Sequence, residues 1–211
     1  MYNPPHFEES RVDVLHQLMQ QEPFAVVVTL GAAGLNANHL PLEVDVSTPP
    51  FGTLRGHVSR ANAMWKDAQS GVETLVIFEG PHHYVTPDWY PTKAETGKSV
   101  PTWNYVVVHA YGTPRFIEDP AWLRAHVERL TNRQEASRPV PWQVSDAPDD
   151  YVQTQLKGIV GFELPITRIF GKWKVSQNRT EADRRGVVAG LRGIGDDGDA
   201  AAIADLVERR L

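Results

Sequence analysis

The run Phe24-Ala-Val-Val-Val-Thr-Leu30 is apolar, rich in β-branched residues and almost unbroken, the pattern of a buried strand. Gly31-Ala-Ala-Gly34 reads as a turn. Asn36 to Val46 then alternates, with His39 out, Leu40 and Leu42 in, Glu43 out, Val44 in and Asp45 out. That predicts a second strand, antiparallel to the first through a short hairpin. Thr48-Pro-Pro-Phe-Gly52 breaks the pattern. Thr53–Val58 and Glu73–Phe78 are a third and a fourth strand, with a short helix from Ala61 to Gln69 between them. Gly80-Pro81 signals a turn into His82–Thr86, and residues 87–100 read as a polar loop. Trp103 to Ile117 is a long strand bent at Gly112 and Pro114. The last apolar stretch, Gly158 to Trp173, is interrupted by Pro165, which marks an edge, a bulge or a hairpin.

Helical spacing appears at the margins of this pattern. Val14, Leu15, Leu18 and Met19 form a stripe, with Ser10 as its cap and Pro23 as its stop. Asp119-Pro120 opens a helix to about Arg133, with Leu123, Val127 and Leu130 on one face. A short helix is expected at Asp149–Leu156. Thr180, with Asp183 three residues on, caps another that ends near Gly193. Ala200–Leu211 is a final helix carrying Ile203, Leu206 and Val207. Six or seven strands joined mostly by short turns, without βαβ alternation, exclude a Rossmann-type sheet. The expected class is mainly β with peripheral helices, built around a small antiparallel barrel.

Composition narrows the function. The chain has 211 residues, a formal charge of −5 and no cysteine. Thiolate metal sites, disulfides and cysteine nucleophiles are therefore excluded. The acidic balance argues against holding nucleic acid by bulk charge. No window approaches a membrane span and no secretory leader is visible, so a cytoplasmic protein without membrane contact is expected.

Candidate chemistry concentrates in few places. Residues 79–112 hold Trp89, Trp103 and four of the six tyrosines, beside Thr, Asn and His, a composition suited to a planar ligand. The equally open reading is a long hairpin loop whose aromatics cap a barrel end. At His57-Val-Ser59-Arg60-Ala-Asn62 a strand meets a helix start, where amides, hydroxyls and a guanidinium converge on a phosphate, or where Ser59 or Asn62 is a plain cap. Among eight histidines no metal-binding spacing occurs, and His82-His83 would face opposite sides of a strand. No metal site is therefore assigned. No P-loop, dinucleotide fingerprint or nucleophile elbow is present. Lys172, Lys174, Arg179, Arg184, Arg185 and Arg192 make a basic run, opposed by Glu181, Asp183, Asp196, Asp197 and Asp199. It reads as a solvated face rather than a nucleic-acid surface.

Four long motifs, in order, carry a resemblance: LRGHVSRAN (54–62), FEGPHHYVTPDWY (78–90), VPTWNYVVVHAYG (100–112) and GKWKVSQNRTEADRRGVVAGL (171–191), with MYNPPHF at the start. Together they resemble the PaiB-type proteins, bacterial FMN-binding negative transcriptional regulators. The resemblance implies an FMN-binding split β-barrel, antiparallel, with C-terminal helices. Residues 1–134 would form the barrel core with the N-terminal helix, 135–178 the strands that complete it, and 179–211 the C-terminal helices. It implies a homodimer with FMN near the subunit interface, and DNA as a partner by the family label alone. Carried over by motif, the cofactor-binding residues are His57, Ser59, Arg60 and Asn62, then Thr102, Trp103 and Asn104, then Lys174, Ser176, Gln177 and Asn178. Arg60 is the expected phosphate ligand, since a guanidinium fork matches phosphate geometry. The related oxidases have a lysine after that arginine, where this chain has Ala61. The alternative functions are an FMN-dependent oxidoreductase, similar to pyridoxamine-phosphate oxidases or flavin reductases, and a haem-binding relative. The sequence identifies no catalytic residue.

Overall fold

The computed structural model describes residues 1–68 and 71–211. In chain order its elements are β1 (Glu8–Glu9), α1 (Val12–Gln21), β2 (Phe24–Gly31), β3 (Gly34–Pro41), β4 (Glu43–Asp45), β5 (Thr53–Ser59), α2 (Met64–Asp67), β6 (Thr74–Val85), α3 (Pro91–Thr96), β7 (Thr102–Gly112), β8 (Arg115–Ile117), α4 (Pro120–Glu135), α5 (Asp149–Lys157), β9 (Ile159–Pro165), β10 (Arg168–Lys174), α6 (Glu181–Arg192) and α7 (Gly198–Glu208). They form two compact units. The first comprises Met1–Leu18, Glu79–His109 and Phe170–Leu211, and the second Met19–Phe78 and Ala110–Ile169. Among the described residues no helix is long and apolar enough to cross a membrane.

The first unit contains strand order β1-β10-β7-β6. Its helices are held by local signals. Thr180 accepts from the Asp183 amide to cap α6, and Asp197 accepts from the Ala200 amide to cap α7. These two helices pack together and bury Val187, Leu191, Ile203 and Val207. Asp183, itself buried, accepts from the Thr92 amide at 3.1 Å and from its hydroxyl, which ties α3 to α6.

The second unit contains two open strand arrays, β6-β2-β3 and β4-β5-β9-β8. The β2–β3 hairpin pairs Gly31 with Gly34, and Gly34 takes φ +108°, which the tight turn needs. Asp119 caps α4 through the Ala121 and Trp122 amides, with Pro120 in its first turn. Leu123 of α4, Val144, and Val152 and Leu156 of α5 form a buried cluster against which Trp122 and Ile159 pack.

Several expectations change. The strand predicted over 36–46 splits at Leu42, whose amide donates to the Pro23 carbonyl at 2.8 Å, so β3 pairs with β2 and β4 with β5. Gly80-Pro81 makes no turn and β6 runs straight through it. Gly80 is there for space, because a Cβ would lie 2.8 Å from Leu18 and 3.3 Å from Val106. Helix α1 starts at Val12, with the Arg11 carbonyl accepting from Val14 and Leu15, one residue later than a Ser10 cap implies. The helix expected over 61–69 covers only Met64–Asp67, and Gln69 lies outside the described residues. The long strand predicted over 103–117 ends at Gly112 and resumes as β8, and the stretch around Pro165 separates β9 from β10.

Candidate functional site

In the first unit, β10 and the turn after it face the start of β7. Lys174 donates to the Thr102 hydroxyl at 2.5 Å. Two residues on, Ser176 is buried and takes φ 63°, an uncommon conformation for a side chain other than glycine. Its surroundings hold it there. Buried Asn104 donates to its hydroxyl at 2.9 Å, and Gln177 folds back, accepting from the Val175 amide at 2.8 Å and donating to the Trp173 carbonyl. Asn178 is exposed beyond this turn. Six of the expected residues are thus engaged at one place or beside it: Thr102, Asn104, Lys174, Ser176, Gln177 and Asn178.

The charge here is unbalanced. The ammonium groups of Lys172 and Lys174 lie 5.3 and 6.0 Å from the centroid of the same ring, Tyr105. Burial first, then the positive charges of Lys172 and Arg179, lower the Lys174 pKa. Two of the three arginines of α6 are neutralised, Arg185 by Glu181 and Arg192 by Asp205 and Glu208, while Arg184 donates to the Arg210 carbonyl. Among the described residues no carboxylate forms a salt bridge with Lys172, Lys174 or Arg179. Lys174 and Arg179 are half-buried, and Lys172 is buried with its ammonium donating to the Tyr2 carbonyl at 2.9 Å; three cations without a counter-charge fit an anion. Trp103 is exposed, with His82 6.2 Å and Tyr84 6.0 Å from it between ring centroids, which makes an aromatic surface on the same unit. Trp89 and Tyr90 pack within this unit. Trp89 lies against Gly186 and Gly190 of α6, and Tyr90 is buried under Arg179.

The other four expected residues lie in the second unit, at the end of β5 and the turn after it. Each nitrogen of the Arg60 guanidinium donates once: to the Lys157 carbonyl at 2.8 Å, the Ile159 carbonyl at 3.2 Å and the Glu118 carboxylate at 2.5 Å. Ser59 accepts from the Ala61 amide. Asn62 accepts from the Met64 amide at the start of α2 and donates to Asn38 at 2.7 Å. Both make local side-chain bonds to the amide two residues on, and neither is the N-cap of α2, which is Ala63. His57 Nδ1 lies 3.1 Å from His126 Nε2.

The sequence reading passed over His126, Glu43 and Glu118 as partners of these residues. The Trp-x-x-x-His spacing at Trp122 and His126 was the only available signal, since it stacks the two rings on one helix face. Burial, and next the neighbouring His126, push the His57 pKa down to about 4. The fold therefore favours neutral His57, and the unfolded chain takes up the proton first. Stability should fall as pH drops from about 6.5 to about 4, by roughly 3 kcal/mol from this group. Urea unfolding of His57→Gln should show a flatter curve across that window. An unchanged acid slope would exclude His57 as its source.

Comparison with solved structures places the fold. The FAD and heme binding protein from Mycobacterium smegmatis superposes with TM-score 0.58 at 16% identity, over 79% of this chain and 73% of that one. The flavocytochrome Anf3 from Azotobacter vinelandii gives 0.58 at 12%, over 79% and 69%. The protein has the fold of the flavin-binding split barrels. The chain belongs to the PaiB-type family described as "Putative FMN-binding domain", whose model matches residues 1–168. Protease synthase and sporulation protein PAI 2 of Bacillus subtilis is 30% identical over 211 residues, covering 100% of this chain and 98% of that one. An uncharacterized protein of Emericella nidulans is 35% identical over 245 aligned positions, covering 100% and 97%. Relatives thus occur in fungi as well as in bacteria. The family's cofactor is FMN or a related flavin.

Proposed function

We propose that this protein is a flavin-responsive negative transcriptional regulator of the PaiB type that acts as a homodimer. The flavin phosphate is held by Lys172, Lys174 and Arg179. One observation carries the phosphate assignment: half-buried Lys174 and Arg179 stand near buried Lys172, and among the described residues none of the three has a carboxylate partner. Thr102, Asn104 and the rigid Ser176–Gln177 turn keep Lys174 in place. Trp103 and Tyr84 offer exposed ring surface suited to a planar ring system. Arg60 takes a lesser part, because its fork is occupied by Glu118 and two carbonyls. Bound FMN supplies redox chemistry and visible absorbance, while the chain supplies charge and position. The regulatory reading draws on the family and on the name of the Bacillus relative, which speaks of protease synthesis and sporulation.

The test is a flavin titration of the purified protein. Lys174→Ala should weaken FMN by about 10- to 100-fold, the worth of a charge-assisted contact of roughly 1.5–3 kcal/mol. Arg60→Ala should change it less. The reverse order would return the phosphate to Arg60. A salt-titrated DNA-binding assay examines regulation directly, and binding without any sequence preference would count against it. Bleaching of the flavin band by NAD(P)H with turnover would favour an oxidoreductase instead.

A further inference from the structure

Three titratable groups stand in line where α4 meets the sheet of the second unit. Glu43 Oε2 lies 3.1 Å from His126 Nδ1, and His126 Nε2 lies 3.1 Å from His57 Nδ1. His126 is completely buried, and Trp122 stacks on its ring with centroids 5.3 Å apart. Gly161 of β9 makes room for that indole, since a Cβ there would lie 2.4 Å from it. The groups run in series and do not converge, and among the described residues no metal cage of three such ligands occurs.

Both ends of the line are open. Glu43 borders a cavity of about 270 Å³ lined also by Val44, Asp45, Arg55 and Arg129. Of the charges there, Arg55 is taken by Asp45 and Glu163, and the Arg129 guanidinium stands 3.8 Å from Glu43. At the other end His57 Nε2 has no hydrogen bond among the described residues, and it is not among the buried atoms that lack a partner. It is therefore accessible to a ligand or to water.

The hydrogen bonds fix the protons. A carboxylate only accepts, so His126 carries its proton on Nδ1. In a neutral His126, Nε2 then accepts from His57 Nδ1–H. That leaves the His57 Nε2 as a lone pair directed away from the relay. We propose that Glu43, His126 and His57 form a proton relay, with His57 Nε2 as the acceptor for a small ligand bearing a weakly acidic N–H or O–H and the cavity at Glu43 as the outlet. In the forward step the ligand X–H bond breaks and its proton binds His57 Nε2. The His57 Nδ1 proton passes to His126 Nε2, and the His126 Nδ1 proton passes to Glu43. The ligand is left as its anion, and the carboxyl releases its proton to water in the cavity. No electrons are exchanged. The relay lies wholly within the second unit and does not depend on where flavin binds.

Nitrogen-15 spectra of the histidine-labelled full-length protein test this. At neutral pH His57 should carry its proton on Nδ1, the less common tautomer, and His126 should carry one on Nδ1 and none on Nε2. Glu43→Ala removes the acceptor that orders the line, so the Nδ1–H form of His57 should fall from dominant to minor while circular dichroism stays unchanged. His126→Phe should release His57 alone. A wild-type His57 protonated on Nε2 would overturn the proposal, and so would an unchanged His57 tautomer in a folded Glu43→Ala protein. If a variant does not fold, the wild-type spectrum decides by itself.

Discussion

Phe162→Ala should cost about 3–5 kcal/mol, a large part of the roughly 5–15 kcal/mol that holds a domain of this kind together. Phe162 is wholly buried at the centre of β9, the strand that pairs with both β5 and β8. Its cross-strand partners are Gly56 and Phe116, and the Phe116 ring meets it edge to face at 6.0 Å. The space opposite is already committed. A Cβ at Gly56 would lie 2.5 Å from Leu42, so Leu42 occupies the volume a larger residue would need. The hole left by the missing ring therefore has little chance to collapse, and the full cavity penalty applies. Urea unfolding should show a lower midpoint with an unchanged slope. Trp142→Ala, at a half-exposed site, should shift stability by about 0.5 kcal/mol or less. Equal effects from the two would contradict this account of the core.

Gly186→Ala should also destabilise, by about 3 kcal/mol, against the usual gain of about 1 kcal/mol for that change inside a helix. The Cβ would stand 1.9 Å from the Trp89 carbonyl oxygen, and backbone cannot swing aside as a long side chain can. Gly190, one turn on, faces the Trp89 indole at 2.3 Å by the same measure, so α6 presents a smooth strip to that segment. Displacing the strip also strains the Asp183–Thr92 bonds. Gly198, at the start of α7, has open space at the same position, and its alanine variant should be tolerated. Thermal unfolding of the two variants gives the comparison. A stabilised Gly186→Ala protein would mean that α6 does not rest on Trp89.

What was legible in the sequence was local. Asp119-Pro120 and Thr180 cap the helices they announce because a cap and its target lie within three residues of each other. The segments 102–104 and 174–178 were legible as long motifs, and Thr102–Lys174 and Asn104–Ser176 do bond to each other. Arg60 was not legible, because its partners Glu118 and Lys157 lie 58 and 97 residues away. The basic run 172–192 read as one solvated face opposed by nearby acids, for the same reason. Distant acidic groups neutralise Arg192 but leave Lys174 without a counter-charge, and only the folded arrangement separates the two. Gly80 read as a turn because the neighbours that require a glycine there, Leu18 and Val106, are remote in sequence.

Strand β1 pairs Glu8 with Lys172, and Asn3 donates to the Gly171 carbonyl 168 residues away. On the ribosome the first strand therefore waits for its partner until more than four-fifths of these 211 residues have emerged. The first unit cannot close segment by segment during synthesis. Loop closure over such distances slows folding, so the pairing of β1 with β10 comes late. Until then β7 lacks β10, the neighbour that covers its edge, and the newborn protein carries an unpaired strand at its moment of greatest exposure to aggregation.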